Sequence, residues 1–299
     1  MANSFQKATK IVSTALGLLE RDIVLPQTVW RYGLADFRGA YNDTINLRVP
    51  AIATADDRTL RSGAVLTAHD LTESSIPVVL DKHPNSLVNL PDEELTLDIE
   101  SLVDQVISRQ VRAVAEKLEG YIAAALLAGD YKVGHTIEFN TADPYASLVY
   151  ARRLLNAANV PMGDRFVVMG STIEAEFLND DRVQAANTFG TDSGFREATI
   201  GRMFGFTVLS SNAIGANEAY AYHRSAVAFG NVAPAVARGV TWGQTASFEG
   251  LALRVAQDYD PTYARDRILV DSYAGVSMVE EAASGKVERA VKFVNALSS

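Results

Sequence analysis

The spacing of hydrophobic positions changes several times along this chain, and each change predicts a different element. Near the N-terminus, Ser4–Glu20 carries apolar side chains at helical spacing, which predicts an amphipathic helix that Asn3 or Ser4 can cap. So much apolar surface in a terminal arm predicts packing, either back on its own domain or on a neighbouring subunit. The apolar positions of this arm are Phe5, Ala8, Val12, Ala15, Leu16 and Leu19.

Alternating residues then predict two strands around a long polar excursion. Asp43–Pro50 and Ser75–Leu80 both alternate, and Pro77 favours a sheet edge because proline cannot donate to a ladder. Between them, Ala51–Ser74 has no core of its own, and loops beyond about 12–15 residues in compact domains are usually functional or disordered. We expect a two-stranded ribbon that leaves the body and needs a partner surface to hold it.

One helix signal is longer than the others. A helix over Asp98–Ala128, with Asp98 as its cap and Gly129 as its stop, would be a rod of about 45 Å. Its polar side places Arg112 and Glu116 at the i, i+4 spacing of an ion pair. Its apolar stripe consists of Ile99, Leu102, Val103, Val106, Val114, Leu118, Tyr121, Ile122 and Ala125.

The remaining sequence is typical of a mixed α/β lobe followed by long returning strands. We predict helices over Asp143–Ala158, which opens with Asp-Pro, over Ser171–Asn179, which opens on a Ser-Thr-Ile-Glu capping box, and over Ser284–Leu297. The weakly patterned Val183–Glu197 is predicted to be a loop, and Asp258–Asp266 a turn. The predicted strands are Arg165–Met169, Gly201–Asn212, Ala219–Phe229, Val240–Glu249, Gly250–Gln257 and Arg267–Val279.

Composition and charge narrow the classes of protein. The chain has 299 residues, 48% hydrophobic and 21% charged, which is ordinary for a globular protein with a sizeable core. Its net charge of −9 repels nucleic acid on average, and without cysteine it has neither disulfides nor thiolate chemistry. Met1–Ser4 lacks a basic region, and no apolar run approaches the roughly 20 residues of a membrane span. We expect synthesis in the cytoplasm and no membrane partner.

Candidate chemistry is sparse. The acidic runs Asp92–Glu94 and Asp258–Asp260 are predicted to be solvated turns rather than metal sites, and no phosphate-loop or nucleophile-elbow motif occurs. We therefore predict no catalytic residues, no cofactor and no metal. The histidines are scattered, without a metal-binding spacing, and are expected to be structural or at the surface: His69, His83, His135 and His223.

The segment Thr199–Ser211 is the most informative part of the chain. It contains the run Ile-Gly-Arg-Met-Phe-Gly-Phe, in which Gly201 and Gly205 predict a tight turn that delivers Phe206 and Val208 to one face of a half-buried strand. This run resembles a segment near the end of the axial domain of tailed-bacteriophage major capsid (coat) proteins, where it leads to a strand and then to Ser-Asn.

The order of elements extends this resemblance over the whole chain. A terminal arm, a ribbon, a very long helix, an α/β lobe and returning strands resemble the Hong Kong-phage-type capsid fold, an α+β fold shared by encapsulin nanocompartments. The chain looks closest to coat proteins of the Salmonella short-tailed phage type, through its Met-Ala-Asn-Ser-Phe start, its Gly-Arg-Met-Phe-Gly-Phe run and Asp258–Leu269. It departs from that type because residues 143–249 leave no room for a large inserted β-barrel. It also lacks the long N-terminal scaffolding domain of some relatives.

The resemblance implies a division of the chain. Residues 1–42 would be the N-terminal arm and 43–82 the extended loop. Residues 83–142 would belong to a peripheral domain with the spine helix, and 143–249 to an axial domain. Residues 250–299 would be the return strands of the peripheral domain and a C-terminal helix.

The implied function is structural. Copies of the chain would assemble as pentamers and hexamers into the icosahedral shell that encloses phage double-stranded DNA, in the host cytoplasm first and then as the virion capsid. Implied partners are further copies of the chain, DNA bound without sequence specificity, and separate scaffolding, portal and decoration proteins. Two alternatives stay open: an encapsulin-like nanocompartment shell and, more remotely, an α/β enzyme with an unrecognised site.

Two groups of residues are candidates for assembly contacts. Phe5, Val12 and Leu16 lie on the apolar stripe of the arm, and the excursion offers charged residues for ion pairs between subunits. Some capsids of this fold link subunits through a lysine on the extended loop, but Val49–Asp81 contains no lysine, which argues against that covalent route. The charged candidates are Asp56, Asp57, Arg58 and Arg61.

Overall fold

A computed structural model describes most of the chain as a mixed α+β protein. The described residues are 23–37, 43–49, 53, 55–63, 65–66, 68–71, 73–93, 106–179, 201–248, 251–281 and 284–294. Their α-helices are α1 (Leu34–Phe37), α2 (Ser108–Ala128), α3 (Pro144–Ala157) and α4 (Ser171–Asn179), with 3-10 turns at Leu25–Gln27 and Arg224–Ala226. The strands of the first half are β1 (Trp30–Tyr32), β2 (Thr44–Val49), β3 (Ser74–Val79), β4 (Asn85–Pro91), β5 (Thr136–Glu138) and β6 (Arg165–Met169).

The second half is mostly strands. They are β7 (Arg202–Met203), β8 (Phe206–Ser210), β9 (Glu218–His223), β10 (Val227–Val232), β11 (Trp242–Phe248), β12 (Leu251–Asp260), β13 (Arg265–Asp271), β14 (Tyr273–Met278) and β15 (Ala290–Val294). Within the described residues they form sheets of six strands (β5-β15-β9-β6-β8-β7), four strands (β11-β12-β13-β4), three strands (β1-β10-β14) and two strands (β2-β3).

Two apolar clusters hold these layers together. In one, α3 and α4 pack on the six-stranded sheet through side chains such as Leu148, Phe177 and Phe206. In the other, α2 packs against the four-stranded and three-stranded sheets and against the chain entry at Leu25. Burial of these side chains removes apolar surface from water, which is the main driving force for this arrangement.

The long helix agrees with its prediction where it is described. Helix α2 ends at Ala128 before Gly129 and is about 32 Å long over its described residues; residues 98–105 of the predicted helix lie largely outside them. Val114, Leu118 and Ile122 of the predicted stripe are fully buried, while Ile99, Leu102 and Val103 lie outside the described residues. The predicted ion pair is present, with Arg112 Nε 3.0 Å from Glu116 Oε1. None of the described helices is long and apolar enough to cross a membrane.

The predicted terminal helix over Ser284–Leu297 is wrong in its described part. Ala290–Val294 is a strand, β15, inserted between β5 and β9. Ala290, Val291 and Phe293 are buried there. Tertiary packing on both faces of the sheet overrides the local helical pattern, as it often does for short segments.

Two long predicted strands are each broken into two strands in different sheets. Ala219–Phe229 is interrupted by the 3-10 turn Arg224–Ala226, and Arg267–Val279 is interrupted at the buried Ser272. The Ser272 hydroxyl donates to Ala252 O at 2.7 Å, which satisfies a polar group at this corner. The turn predicted over Asp258–Asp266 is shorter, because cross-strand pairs extend the ladder to Asp260 and Arg265.

Helix starts and the β7–β8 hairpin follow local chemistry. The Asp143 carboxylate accepts a hydrogen bond from Ala146 N at 3.2 Å, which confirms the predicted cap of α3. At the start of α4, Glu174 N donates to Gly170 O at 3.0 Å and the Glu174 carboxylate accepts a hydrogen bond from Ser210 Oγ at 2.7 Å, while the capping box stays a prediction. The predicted turn and strand are present as the β7–β8 hairpin, with Phe206 and Val208 buried on one face.

The two-stranded ribbon is confirmed, but its base is not free of the body. Val49, Ile76 and Val78 are buried in a small cluster that includes Phe37 and Val232 of the body. Pro77 lies opposite Asn46 in a sheet that has only these two strands. The base of the ribbon is therefore packed against the body, whereas its outer part, the described residues between 53 and 73, is exposed.

Candidate assembly surfaces

The outer part of the ribbon exposes apolar side chains that contact nothing in their own chain's core. Every described residue between 53 and 73 is exposed. Large apolar groups are among them, and their exposed fractions are 91% for Leu60, 93% for Val65, 72% for Leu66 and 64% for Leu71. Full burial of one leucine side chain is worth about 1.5–3 kcal/mol, so this surface would gain stability if another surface covered it.

Polar contacts within the ribbon give this excursion a definite shape. Arg48 donates to both carboxylate oxygens of Glu73, from Nε at 2.5 Å and from Nη2 at 2.6 Å. The hydrogen bond from Arg48 lowers the pKa of the Glu73 carboxyl. Farther out, His69 Nε2 lies 2.7 Å from Asp56 Oδ2 and joins the two sides of the loop.

The charged candidates from the sequence all lie on this excursion. Asp56, Asp57, Arg58 and Arg61 are exposed, so all four are accessible to another molecule. Asp56 already has a partner in its own chain, His69. Arg61 is in the left-handed region with a φ of 64°, close to Gly63 with a φ of 67°, and these residues form the turn at the end of the excursion. Sequence reasoning did not single out the apolar residues beside them, although the leucines were visible in a polar stretch.

The apolar candidates Phe5, Val12 and Leu16 lie outside the described residues. The structure does describe where their segment joins the body. Leu25 and Val29 are fully buried against α2 and the three-stranded sheet. Whether the apolar stripe of Ser4–Glu20 packs on its own domain or on a neighbouring subunit stays a prediction.

A second exposed apolar surface lies at α3 and the β7–β8 turn. Phe204 has a φ of 47° between two glycines of positive φ, and its ring is held outward beside Tyr145, with centroids 6.0 Å apart. Arg152 Nη1 donates to Phe204 O at 2.5 Å and fixes the turn to α3. Val149 and Tyr150 are exposed next to it and line an open cleft of about 420 Å³. Sequence reasoning found the turn but missed this surface; Val149 and Tyr150 could have been noticed as apolar residues off the buried stripe of α3.

The acidic residues of the β12–β13 hairpin are paired with arginine. Arg267 Nη2 lies 2.7 Å from Asp258 Oδ2, and Arg265 Nη2 lies 3.3 Å from Asp260 Oδ2. Each of these aspartates therefore pairs with the arginine directly opposite it on the neighbouring strand, and the pair stabilises the hairpin. Among the described residues, no group of three or more histidine, aspartate or glutamate side chains could hold a metal ion.

The histidines lie apart and each has a local partner, in agreement with structural or surface roles. His83 Nε2 lies 2.9 Å from the fully buried Asp271 carboxylate. His135 Nδ1 lies 3.1 Å from Ala290 O in the core. His223 Nδ1 accepts from Ser225 N at 3.2 Å, and burial followed by the nearby Arg289 lowers the pKa of this imidazole.

Comparisons with known proteins give one family match and several structural matches. The sequence model of a family described as phage capsid protein matches residues 88–283. No curated protein matches the chain. Among solved structures, one from Mycobacterium phage Che8 is 17% identical with a TM-score of 0.68, and 91% of each chain is covered.

Two further structures extend the comparison. The capsid of cyanophage P-SCSP1u is 12% identical with a TM-score of 0.69, and the alignment covers 99% of this chain and 90% of the other. A virus-like particle from Pyrococcus furiosus is 13% identical with a TM-score of 0.52, covering 95% and 98%. At these identities the likeness shows the fold.

Proposed function

Because this chain belongs to the phage capsid protein family and is a shell protein of an icosahedral phage capsid, we propose that its copies assemble as pentamers and hexamers around double-stranded DNA. The family is structural, so the alternative of an α/β enzyme with an unrecognised site is not retained. The finer claims concern which surfaces make the shell and what the shell holds.

The observation that carries the proposal is the exposure of the ribbon loop. Leu60, Val65 and Leu66 are 91%, 93% and 72% exposed, and none of them belongs to an apolar cluster formed by the described residues. The Arg48–Glu73 and Asp56–His69 pairs join the two sides of this loop, and they leave its apolar side chains exposed. We infer that the loop lies over an adjacent copy, where its apolar side chains are buried and Asp57, Arg58 and Arg61 meet charges of that copy.

Two other surfaces are proposed as weaker contributors. The stripe with Phe5, Val12 and Leu16 would pack on a neighbouring subunit, since the chain that follows it is anchored in its own core at Leu25. The exposed surface at Phe204 and Tyr150 would face another copy around a five-fold or six-fold axis. Each interface must bury enough apolar area to exceed the entropy lost on association.

The division into arm (1–42), extended loop (43–82), peripheral domain (83–142 and 250–299) and axial domain (143–249) stays a prediction. The ribbon within residues 43–82 and the α/β order within 143–249 support it. The six-stranded sheet, however, also takes β5 and β15, which the division places in the peripheral domain. A proteolysis test of domain boundaries would have to allow for these two shared strands.

The likeness to the Salmonella short-tailed phage type is also a proposal, supported by the Met-Ala-Asn-Ser-Phe start, the Gly-Arg-Met-Phe-Gly-Phe run and Asp258–Leu269. Any scaffold would then be a separate protein, or none is used, and portal and decoration proteins would be further partners. The net charge of −9 suits a wall that encloses anionic DNA without binding it tightly or reading its sequence.

The test is to purify the chain and image its assemblies by electron microscopy. We expect closed shells from the full chain, and folded subunits that form no closed shells after deletion of Ala53–His69. A point variant sharpens the result: Leu66→Asp should lower shell yield far more than Thr59→Asp, which adds the same charge at an exposed polar position of the same loop.

The outcomes separate the alternatives. Normal shells from the deletion variant would contradict the role of the loop. Shells that package an enzyme rather than DNA, in cells without other phage genes, would support the encapsulin-like alternative. A full-length chain that stays monomeric under all conditions, including the presence of a scaffolding protein, would contradict shell assembly itself.

A further inference from the structure

Two glycines face each other directly beneath the base of the ribbon. Gly230 of β10 and Gly275 of β14 are partners in the antiparallel register of the three-stranded sheet. Neither has a positive φ, so the backbone conformation does not require glycine at either position. The reason for glycine must be the space above the sheet.

That space is filled by the two chain segments that lead into the ribbon. A Cβ atom on Gly275 would lie 2.0 Å from the carbonyl oxygen of Val79, the last residue of β3. A Cβ atom on Gly230 would lie 2.6 Å from Cζ of Phe37, at the end of α1, and 3.3 Å from Leu80 Cδ2. Carbon atoms in van der Waals contact are about 3.5–4.0 Å apart, so neither position has room for a methyl group.

The contacts beside this glycine pair fix the ribbon along the sheet. Lys82 forms a bridge with Ala274, with N–O distances of 3.0 Å and 2.9 Å in the two directions. Val78 is fully buried one residue before the crossing point. The base of the ribbon therefore lies directly on the three-stranded sheet. The absence of side chains at Gly230 and Gly275 sets the distance between the two.

We propose that Gly230 and Gly275 are positioning residues for shell assembly, because they set the angle at which the ribbon leaves the body. The inference rests on the proposed function, in which the outer loop must reach an adjacent copy. Six residues of strand span about 20 Å, so lifting the base by the width of a methyl group displaces the outer loop by a larger distance. A misdirected loop cannot close the same shell.

The first experiment measures the ribbon angle without any shell. The chain has no cysteine, so Thr59→Cys and Ala237→Cys can carry a pair of spin labels in unassembled subunits. Gly275→Ala should shift the distance between the labels by about 3 Å or more, given the length of the ribbon. Gly163→Ala is the matched control, since nothing lies within 4 Å of its Cβ position, and it should leave the distance unchanged.

The second experiment reads assembly. Gly275→Ala subunits should stay folded and give no closed shells or shells of altered diameter, whereas Gly163→Ala shells should match the wild type. For Gly230→Ala the clash is with a side chain, so a second change, Phe37→Leu, should restore shells by removing the far end of the ring.

The results decide the proposal independently of the proposed function. An unchanged label distance, wild-type shells from Gly275→Ala, or unfolding of that variant would overturn it, as would failure of Phe37→Leu to relieve Gly230→Ala. A shifted label distance in a chain that never forms shells would support the role of the two glycines in setting the ribbon angle. It would contradict the proposed function instead.

Discussion

The carboxylate of Glu119 accepts a hydrogen bond from Ser211 Oγ at 3.0 Å, which joins the middle of α2 to the residue that follows β8. The same Oε1 atom accepts from the backbone N–H groups of Val24, at 3.3 Å, and Leu25, at 3.2 Å. Glu119 is 7% exposed, so this polar group is buried with its donors. One side chain thus ties the chain entry and the α/β lobe to the long helix.

Removing this carboxylate should destabilise the subunit. Glu119→Ala leaves the buried N–H of Leu25 without its acceptor. An unpaired buried donor costs about 1–3 kcal/mol of stability, and the loss of the other hydrogen bonds to this carboxylate adds to that cost. Glu119→Gln, which keeps an acceptor oxygen of similar shape, should lose less. Urea unfolding of the two variants measures the difference. Glu116→Ala, at an exposed site on the same helix, is the control, and an equal loss there would contradict the argument.

The apolar stripe of α2 should be equally sensitive at its centre. Leu118 is fully buried, so Leu118→Ala should cost about 2–5 kcal/mol through lost apolar burial and a new cavity. The variant should misfold or aggregate before assembly. Leu127 lies on the same helix but is 52% exposed, so Leu127→Ala should change the melting temperature little. Equal melting temperatures for the two variants would show that the stripe is not core.

The free energy of unfolding should decrease as the pH is lowered, because of His223. Burial, and then Arg289, lowers the pKa of this imidazole below its ordinary 6.5, so the folded chain holds it neutral where the unfolded chain binds a proton. Its contribution is therefore complete above about pH 6.5 and is lost as the pH falls through the folded pKa. Melting temperatures from pH 7.5 to 5 should fall less in His223→Asn, whose amide oxygen can still accept from Ser225 N. Parallel curves would refute this assignment.

The N-terminal arm should contribute to assembly through one face only. Leu16→Asp places a charge on the predicted apolar stripe, whereas Lys10→Asp changes the predicted polar face. We expect the shell yield of Leu16→Asp to fall well below that of Lys10→Asp, with both subunits folded. Sedimentation of assembly reactions gives the yields. Similar yields would remove the arm from the assembly surface.

What the sequence predicts best are elements whose causes are local. Asp143 caps α3, Gly129 follows the last residue of α2, and the alternation of Phe206 and Val208 gives β8. Features that depend on distant neighbours were missed. Val291 and Phe293 alternate too briefly to distinguish a strand from a helix until β5 and β9 lie on either side.

The candidate site shows the same limit. The exposed excursion and its charges could be predicted, because a long polar segment without a core of its own can be recognised from the sequence alone. Glu119 could not, since a glutamate on a helix is usually solvated, and its three donors are all more than 90 residues away from it in sequence. The need for glycine at 230 and 275 arises only where another part of the chain crosses the sheet.

The place of β15 has a consequence for how the chain is made. In the six-stranded sheet β15 lies between β5 and β9, and in the described residues β5 pairs with β15 alone. Synthesis runs from the N-terminus, so the ribosome produces β5 more than 150 residues before the strand that pairs with it. The sheet lacks the strand between β5 and β9 until Ala290–Val294 has been synthesised. A chain terminated before Ala290 therefore cannot complete this sheet, and we expect that it cannot supply a subunit that enters a shell.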